Sequence, residues 1–430
     1  AVKSDYLVRT SVRCEGDHLQ ICGTPFSLRG VKRIEVLGAG KAGAGMTRGL
    51  EVALSGLSSA IQIDGWVNVP EDCVEATSAV TLFAARPAGI NEPTTDGVKG
   101  TRETLKRVRR LESDDLCIVL LSGGGSALLP APTPGISLED KLAVTRFLAG
   151  RGADIRELNI VRSKLSEIKG GGLLRHCQSG RVISLIISDV IGDPLDIIAS
   201  GPTTPSPATF ADALAVLQKY DLDQSRVPGS VYEYLSRNES DAKAAAGAVE
   251  NFVIGSNVVA LSAAEKEAQK RDYEVVSLGS ENSGEAADHG RRLFQKLVEL
   301  RDRNSAENPR STCVLAGGET TVKLAATTFA RKGGRNQEAV LAAVAANPDA
   351  AVWQGITLLS GGTDGEDGPT DAAGAIADGE LLRRMRAAAL QPERFLAINN
   401  SYPFFDQLGG LLQTGPTHTN VMDLAVGVVS

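Results

Sequence analysis

Runs of apolar residues alternate along the chain with segments whose apolar residues recur every three or four positions. The continuous runs predict short buried strands, and the spaced segments predict amphipathic helices. Leu293, Leu297 and Leu300, for example, are spaced as on the buried face of one helix. Because strands that alternate with helices are typical of a mostly parallel sheet covered by helices, we predict an α/β fold.

Several predicted strands end in glycine, serine or acidic residues. The pattern occurs in VKRIEVLGAGKAG, DLCIVLLSGGGSALL, RVISLIISDVIGDP, TCVLAGGETT and GITLLSGGTDGEDG. Ligands of open α/β sheets bind just beyond the carboxyl ends of the strands. We therefore predict one site, or two facing sites, assembled from distant parts of the chain.

A polar segment at 221–250 separates two parts of the chain that share this character. It carries turn residues and lacks a long apolar run, whereas NFVIGSN at 251–257 begins a second series of strands and helices. A length of 430 residues suits two or three domains of about 150 residues each. We predict a Rossmann-like domain with a mostly parallel sheet at 1–245 and a second α/β domain at 246–430.

Composition and charge exclude several classes of protein. The chain is 42% hydrophobic and has a net charge of −7, so we expect a globular protein that does not bind nucleic acid. No stretch approaches the roughly 20 apolar residues of a membrane span. The six cysteines form no C-x-x-C pair and the four histidines have no metal-ligand spacing, which disfavours a zinc site.

Reduced cysteines indicate a reducing compartment, and we expect the cytoplasm. A mitochondrial location stays open, because the chain opens at Ala1 without a methionine and a targeting segment could have been removed.

The segment VLGAGKAGAGM at 36–46 matches the G-x-G-x-x-G spacing of a dinucleotide-binding turn. The next predicted strand ends at Pro70, so Asp64 lies near its start, whereas the acidic residue that binds a ribose belongs at the strand end. Lys41 is foreign to that fingerprint, but beside a helix N-terminus it adds a full positive charge to an anion site. We interpret the loop, with Gly40 and Lys41, as a phosphate or carboxylate site; the alternative is a solvated lysine beside a structural turn.

The segment LLSGGGSALLPAP at 120–132 is a second candidate anion loop. Three consecutive glycines let backbone N–H groups curl around an oxyanion, and two serines add hydroxyls. It is not a Walker A loop, because G-x-x-x-x-G-K-[ST] is absent from the sequence. The candidate binding residues are Ser122, Gly123, Gly124, Gly125 and Ser126.

Three aspartates follow the strand that ends near residue 187. Asp189 comes just after the strand, and a carboxylate there, beside phosphate loops, suits Mg²⁺ coordination or general-base duty. Asp193 is a second candidate metal ligand. We expect Asp196 to cap a helix that begins near Pro194.

In the second half of the chain, charged residues again follow a predicted strand or open a predicted helix. Glu319 follows a strand in AGGETT at 316–321, and Arg335 opens a helix directly after Gly-Gly. A helix N-terminus does not favour an arginine, so we predict that Arg335 recognises an anion. Asp364 lies in an acidic stretch at 360–375 that does not follow the order of a calcium loop.

The segment TGPTHTNVMD at 414–423 offers further polar groups close to the C-terminus. Its candidates for contact with a substrate are Thr417, Thr419 and Asn420.

With these stretches in order, the chain resembles the class II glycerate kinases, whose C-terminal part is called the MOFRL domain. The resemblance covers nearly the whole chain in collinear order. It is carried by GAGKAGAGM, LLSGGGSALLPAP, ELN-x-x-R, SEIKGGGL, SDVIGDPLDIIASGPT, GGETT, GGRNQE, SGGTDGEDGPTDAAGA and TGPTHTNV.

The resemblance implies an active cleft between two α/β domains and Mg²⁺-dependent transfer of the ATP γ-phosphoryl group to D-glycerate, usually to its 2-hydroxyl. The family's catalytic lysine falls on Lys41, its strand-end aspartate on Asp189 and its glycine-flanked arginine on Arg335. We expect ATP and D-glycerate as partners of a monomer or homodimer.

Two departures from the family pattern affect the carry-over of residues. Where the family commonly has Arg-Lys after ELN, this chain has Arg162 and then Ser163, with Lys164 one place later. We carry over Arg162 as a substrate-binding residue and leave the role of Lys164 open. His418 replaces a glycine, which either alters the loop or leaves the side chain outward.

Two other functions compete with the kinase. An NAD(P)-dependent hydroxypyruvate/glycerate oxidoreductase agrees with the G-x-G-x-x-G match but lacks a persuasive His–acid pair for hydride transfer. A non-catalytic sugar-acid or nucleotide-binding protein agrees with the glycine loops but gives Lys41, Asp189 and Arg335 no shared purpose.

Overall fold

The computed structural model describes residues 1–238, 240, 247–303 and 311–430, which divide into two compact units. The first unit comprises Lys3–Ile254, and the second comprises Gly255–Ser430 together with Ala1–Val2. Both units combine sheets and helices, so the predicted α/β class is confirmed. The boundary predicted between residues 245 and 246 lies outside the described residues, so it stays a prediction.

Two sheets form the strand framework of the first unit. Its strands are β1 (Val12–Glu15), β2 (His18–Ile21), β3 (Thr24–Ser27), β4 (Arg33–Ala39), β5 (Gln62–Pro70), β6 (Val80–Arg86), β7 (Leu116–Leu121), β8 (Arg181–Ile187) and β9 (Ala248–Gly255). β1 to β3 make a small antiparallel sheet, and the other six make a sheet of order β6-β5-β4-β7-β8-β9. The pairs from β6 to β8 are all parallel, as predicted.

The helices of the first unit are α1 (Ser4–Ser11), α2 (Gly43–Ala53), α3 (Thr95–Val108), α4 (Gly125–Leu128), α5 (Leu138–Gly150), α6 (Ile155–Lys164), α7 (Gly172–His176), α8 (Phe210–Tyr220) and α9 (Gly229–Arg237). Short 3₁₀ turns lie at Glu71–Cys73 and Ile198–Ser200. Capping boxes begin α5, α6 and α8. Apolar residues from this helical region, including Val144, Val161 and Leu217, form a core of their own.

The register of the parallel strands decides which loops meet. Ala39, the last residue of β4, is paired with Leu121 of β7, and Leu121 is paired with Ile186 of β8. Because parallel strands end at the same edge of a sheet, the loops after β4, β7 and β8 lie side by side. The first predicted site is therefore assembled by register.

The second unit has one six-stranded sheet of order β10-β11-β15-β12-β13-β14. Its strands are β10 (Glu274–Ser277), β11 (Thr312–Gly318), β12 (Ile356–Gly362), β13 (Gly374–Asp378), β14 (Leu411–Leu412) and β15 (Asp423–Val429). Among the strand pairs described for this sheet, β10 and β11 alone are parallel, and the alternation of strands and helices in the sequence did not reveal this mixed order. β15 runs antiparallel between β11 and β12, so the ends of those two strands meet the start of β15.

The helices of the second unit are α10 (Asn257–Lys270), α11 (Ala286–Arg303), α12 (Arg335–Ala346), α13 (Gly379–Ala387), α14 (Pro392–Leu396) and α15 (Ser401–Leu408). α11 and α12 cross closely, because a Cβ placed on Gly290 would lie 1.8 Å from the carbonyl oxygen of Ala339. Phe294 and Trp353 pack beside this crossing, with ring centroids 4.1 Å apart. The predicted helical stripe is confirmed: Leu293 and Leu297 are buried, and Leu300 packs against the same core.

The prediction that the segment at 251–257 begins the second unit is wrong for its strand, because residues up to Ile254 belong to the first unit. β9 lies beside β8 at the edge of the first sheet. Its apolar residues reveal a strand but cannot reveal which sheet it joins. In the described part of the chain, no helix is both long and apolar enough to span a membrane.

Candidate functional site

Hydrogen bonds join the loops after β4 and β7. The amide of Lys41 donates to the carbonyl of Gly123 at 2.9 Å, and the amide of Ala42 donates to Oγ of Ser122 at 3.1 Å. Gly40 has a φ of 149°, and a Cβ placed on it would lie 1.9 Å from Oγ of Ser122. Gly40 is therefore required by the close approach of the second loop.

Asp189 and Lys41 lie against successive glycines of the loop after β7. A Cβ on Gly123 would lie 2.4 Å from Oδ2 of Asp189, and one on Gly124 would lie 3.7 Å from Cγ of Lys41. A Cβ on Gly125 would lie 3.0 Å from the carbonyl oxygen of the last residue of β4. The structure thus brings three of the predicted loops together, with a lysine and a carboxylate beside the same stretch of glycine backbone.

Arg86, the last residue of β6, is a cation at this site that the sequence interpretation missed. It is buried, and its Nη2 would lie 3.1 Å from a Cβ on Gly124. Nη1 donates to Oδ1 of Asn91 at 2.7 Å, whereas Nε has no hydrogen-bond partner among the described residues. Burial lowers the pKa of Arg86, but an arginine keeps its charge at neutral pH. The strand-end rule would have found Arg86 had it been applied to β6.

Ser126 is the centre of a hydrogen-bonded cluster at the start of α4. Arg162 Nη2 donates to its Oγ at 2.5 Å, and Lys169 Nζ donates to the same atom at 2.6 Å. These two donors use both lone pairs of the hydroxyl, so the 2.9 Å contact with Oγ of Ser200 uses the proton of Ser126. Ser200 has a φ of 62°, a left-handed conformation that is costly for a residue with a side chain. Arg162 and Lys169 therefore both contact the predicted serine–glycine loop, and Lys169 was not among the predicted residues.

The other two aspartates after β8 are less closely tied to this site. Asp193 has a φ of 52°, and its amide donates to the carbonyl of Val190 at 3.1 Å. The described residues contain no group of three or more histidine, cysteine or acidic side chains that could hold a metal ion by themselves. The prediction that Asp196 caps a helix is wrong: residues 194–197 form a turn, and only the 3₁₀ turn Ile198–Ser200 follows.

The carboxylate of Asp64 forms a structural ion pair. It lies near the start of β5, as predicted, and its Oδ1 is 3.1 Å from Nη1 of Arg107. The same guanidinium binds the buried carboxylate of Glu35 at 2.8 Å. The acidic residue that a dinucleotide-binding turn requires is therefore not at the loop edge of the sheet.

In the second unit, Arg335 is held between two carboxylates. Its Nε and Nη2 donate to Asp423 at 2.6 and 3.0 Å, and its Nη1 lies 2.9 Å from Glu319. Although burial opposes the shift, these bonds to Asp423 raise the pKa of Arg335 above its ordinary value. Arg335 and Glu319 were predicted, but Asp423 was missed because only the antiparallel register of β15 brings it to the ends of β11 and β12.

Asp367 caps the N-terminus of α12. Its two carboxylate oxygens accept hydrogen bonds from the amides of Asn336 at 3.0 Å and Gln337 at 2.8 Å. Burial raises the pKa of Asp367 to about 6, although these amides oppose the shift. The sequence showed an acidic cluster there but gave no signal that Asp367, rather than Asp364, is the buried member.

The loop before β15 contains the remaining predicted residues. The carbonyl of Asp364 accepts from the amide of Thr417 at 2.9 Å, and Oγ1 of Thr417 donates to the carbonyl of Thr363 at 2.6 Å. Oδ1 of Asn420 accepts from the amide of Met422, whereas the buried Oγ1 of Thr419 has no hydrogen-bond partner in the described ranges. The structure therefore gathers Asp364, Thr419 and Asn420 at one edge of the second sheet.

The departures from the family pattern have local explanations. The ammonium of Lys164 lies 5.3 Å from the ring centroid of Phe210, whereas Arg162 donates to Ser126. Oγ of Ser163 donates to the carbonyl of Ile160. His418 is exposed and has a φ of 52°, a region that favours glycine, so it keeps a conformation suited to the family's residue.

Two domain families match most of the chain. Residues 1–236 match a domain of unknown function, DUF4147, and residues 312–423 match the MOFRL family.

Curated relatives resemble the chain over nearly their full length. A glycerate kinase of Danio rerio is 37% identical over 99% of this chain and 94% of its own. A glycerate 2-kinase of Pyrococcus horikoshii is 35% identical over 98% of this chain and 93% of its own. A protein of Agrobacterium vitis named putative hydroxypyruvate reductase is 38% identical over 91% of this chain and 86% of its own.

Solved structures share the fold. A crystal structure of a Pyrococcus horikoshii OT3 protein has a TM-score of 0.83 and 33% identity, covering 100% of this chain and 95% of that one. A crystal structure of glycerate kinase from Thermotoga maritima has a TM-score of 0.80 and 33% identity, covering 93% of this chain and 92% of that one.

Proposed function

This chain belongs to the glycerate kinase family that joins a DUF4147 domain to a MOFRL domain, and on that premise we propose that it transfers the γ-phosphoryl group of ATP to D-glycerate. The 2-hydroxyl is the proposed acceptor, in keeping with the name of the Pyrococcus relative. The observation that carries the proposal is the placement of Lys41 and Asp189 against consecutive glycines of one loop.

Phosphoryl transfer needs positioning and positive charge around a loose transition state, and it needs little covalent chemistry from the protein. Lys41 and Arg86 would stabilise the charge on the transferring group, and the amides of Gly123 and Gly124 would cradle phosphate oxygens. The amide of Gly125, also a candidate from the sequence, instead donates to the carbonyl of Ser122 at 3.1 Å. Asp189 would accept the proton of the substrate hydroxyl or help to hold the metal.

The donor set of the first unit is compatible with Mg²⁺ bound jointly with the nucleotide. Mg²⁺ is commonly held by one or two carboxylates together with substrate phosphates, so a complete cage of protein ligands is unnecessary. Asp189 would be the principal ligand and Asp193 the second. When bound, Mg²⁺ supplies positive charge to the phosphate oxygens.

The second unit has further polar groups to which we assign contacts with a ligand. Asp423 and Glu319 engage three of the five N–H groups of Arg335, and the others would donate to an oxygen of a substrate or nucleotide. Glu319, Asp364, Thr419 and Asn420 would contact ligand hydroxyls. We also propose that the protein works in the cytoplasm or mitochondria.

The decisive experiment supplies D-glycerate, ATP and Mg²⁺ and follows ADP release, with ³¹P NMR to distinguish 2-phosphoglycerate from 3-phosphoglycerate. Wild-type protein is expected to form 2-phosphoglycerate, and Asp189→Asn to lose most of that activity. Asp196→Asn, an exposed aspartate outside the cluster, is the matched control. A wild-type protein that forms no phosphoglycerate would refute the proposal.

The name of the Agrobacterium relative favours one competing activity, reduction of hydroxypyruvate by NAD(P)H. A parallel reaction with hydroxypyruvate and NADH tests it. We expect no NADH oxidation, because Asp64 is bound to Arg107 instead of standing at the loop edge. NADH oxidation without ADP release in the kinase assay would assign the protein to the reductase class.

A further inference from the structure

Three cationic side chains converge inside the helical region of the first unit. Lys141 is on α5, Arg162 is on α6, and Lys169 precedes α7. Lys141 and Lys169 are 8% and 3% exposed. The charge of Arg162 acts on both lysines, and that of Lys141 acts on Lys169. Such a concentration of buried positive charge is unfavourable unless something compensates it.

No carboxylate in the described ranges forms an ion pair with any of these three side chains. Arg162 and Lys169 instead donate to uncharged partners: both donate to Ser126, Arg162 also donates to Oδ1 of Asn159 at 3.4 Å, and Lys169 also donates to Ser200 at 3.4 Å. Nζ of Lys141 is buried and has no hydrogen-bond partner among the described residues. An unpaired buried ammonium among like charges is expected to have a partner that is not part of the chain.

We propose that Lys141, Arg162 and Lys169 form an anion pocket that binds the carboxylate of the acid substrate, with Lys141 as a direct ligand. The inference rests on the proposed function for the identity of that substrate. It adds Lys141 and Lys169 to the site and assigns them a chemical class of ligand.

A carboxylate suits this pocket better than a phosphoryl group, because the loop at 122–126 contacts two different sets of cations. Gly124 lies beside Lys41, whereas Ser126, two residues later, lies beside Arg162 and Lys169. D-Glycerate has its carboxylate on the carbon next to the one that bears the 2-hydroxyl. An acid group held at Ser126 therefore leaves the adjacent hydroxyl toward the loop of Lys41, where the phosphoryl group is expected.

The pKa values agree with a pocket that awaits an anion. Burial, and then the charge of Arg162, lowers the pKa of Lys141 to about 7, and burial lowers that of Lys169 well below its ordinary value. The charged groups that act on Lys141 and Lys169 are cations, so a bound carboxylate would raise both pKa values. Binding would therefore draw a proton onto the pocket near neutral pH.

The test measures binding of D-glycerate without ATP, so it does not depend on turnover. Thermal unfolding of the full chain is recorded with D-glycerate and separately with inorganic phosphate, for wild type, Lys141→Met and Lys106→Met. Lys106 is an exposed lysine of α3 that pairs with Glu103, and it provides the matched control. Removal of an unpaired buried charge is not expected to hinder folding, and Lys141→Gln replaces the methionine variant if it does.

The expected result is that D-glycerate raises the unfolding temperature of wild type and Lys106→Met but not of Lys141→Met, while the effect of phosphate is unchanged. The proposal is overturned if Lys141→Met keeps the effect of D-glycerate, or if it loses the effect of phosphate. If the kinase assay detects no phosphoglycerate but this binding pattern appears, the anion pocket is supported and only the proposed reaction is refuted.

A pH series gives a second readout that a purely structural lysine would not change. Since Lys141 must be protonated to bind, the Kd of wild type for D-glycerate is expected to rise about tenfold between roughly pH 6.5 and 8.5. In Lys141→Met the Kd is expected to be at least about tenfold higher and to change less with pH than in wild type, because only Lys169 can then gain a proton on binding. A wild-type Kd that does not change with pH, or an identical slope in the variant, contradicts a direct role for Lys141.

Discussion

The two units hold cations in opposite electrostatic settings. In the first unit, the buried Lys141 and Lys169 and the half-buried Arg162 act on one another without a carboxylate partner among the described residues. In the second unit, Arg335 is bound by Asp423 and Glu319. A cation whose charge is already balanced holds protein segments together, whereas one without a counter-charge is suited to binding an anion.

The N-termini of α2 and α12 show the same contrast in charge compensation. α12 begins at Arg335 with both oxygens of Asp367 on its first amides, so a carboxylate of the chain already occupies its positive end. α2 begins at Gly43 after Lys41 and has no side-chain cap. The first unit therefore offers both charge and backbone donors to an anionic ligand, and the second offers mainly a neutralised framework.

The largest effect is expected from Lys41→Met. Loss of the charge at the glycine loop should lower kcat about a thousandfold while leaving stability nearly unchanged, because Lys41 is half-buried at the loop edge. Steady-state kinetics with D-glycerate and ATP measures it, with Lys106→Met as the control. Activity within about tenfold of wild type would contradict the contrast between the two units, because the cation at the first unit's glycine loop would then be dispensable.

Sequence patterns could predict which strand-end residues of the first unit meet, for a physical reason. In a parallel sheet, every strand that runs in the same direction ends at the same edge, so strand-end residues such as Lys41, Ser122 and Asp189 meet without further information. Arg86 follows the same rule and was simply overlooked. Lys141 and Lys169 could not be found this way, because neither follows a strand: Lys141 lies on α5, and Lys169, which reaches Ser126, lies just before α7.

The second site was less predictable because antiparallel pairing brings strand starts and strand ends together. Asp423 begins β15, and its register with Gly318 and Gly362 places it beside Arg335. Nothing local in the sequence distinguishes that aspartate from others nearby. The same limit explains the wrong assignment of the strand at 251–255: a strand's own residues do not specify its partner.

Asp423→Asn is expected to have the next largest effect, on stability. It weakens a largely buried, two-point ion pair, so the second unit should lose about 2 kcal/mol, whereas Glu319→Gln, at a more exposed contact, should lose less than about 1 kcal/mol. The chain has two tryptophans, and Trp353 lies in the second unit. Urea unfolding followed by Trp353 fluorescence in a Trp66→Phe background reports on that unit. Equal losses in the two variants would mean that burial does not distinguish the two partners.

A smaller effect should appear in the pH dependence of the second unit. Because burial raises the pKa of Asp367 to about 6, the folded state binds its proton more tightly than the unfolded state does. The stabilisation from this proton is present at low pH and is lost as pH rises through about 6, which amounts to about 1 kcal/mol between roughly pH 5 and 7.5. Urea unfolding at several pH values measures it, and Asp367→Asn should remove this component. A wild-type curve parallel to that of Asp367→Asn would show that Asp367 is ionised throughout.

The smallest effect is expected at His418, in the loop that leads to β15. Its φ of 52° is strained by about 1 kcal/mol for a residue with a side chain, but glycine also gains freedom in the unfolded state, which offsets about half of the relief. His418→Gly should therefore stabilise the second unit by about 0.5 kcal/mol and leave kcat within about twofold, because the side chain is exposed. His418→Ala, which keeps a Cβ in the same backbone conformation, is the matched control and should give no gain. A large loss of kcat in both variants, without loss of stability, would show that the second unit binds a ligand through this loop, and the contrast between the units would have to be redrawn.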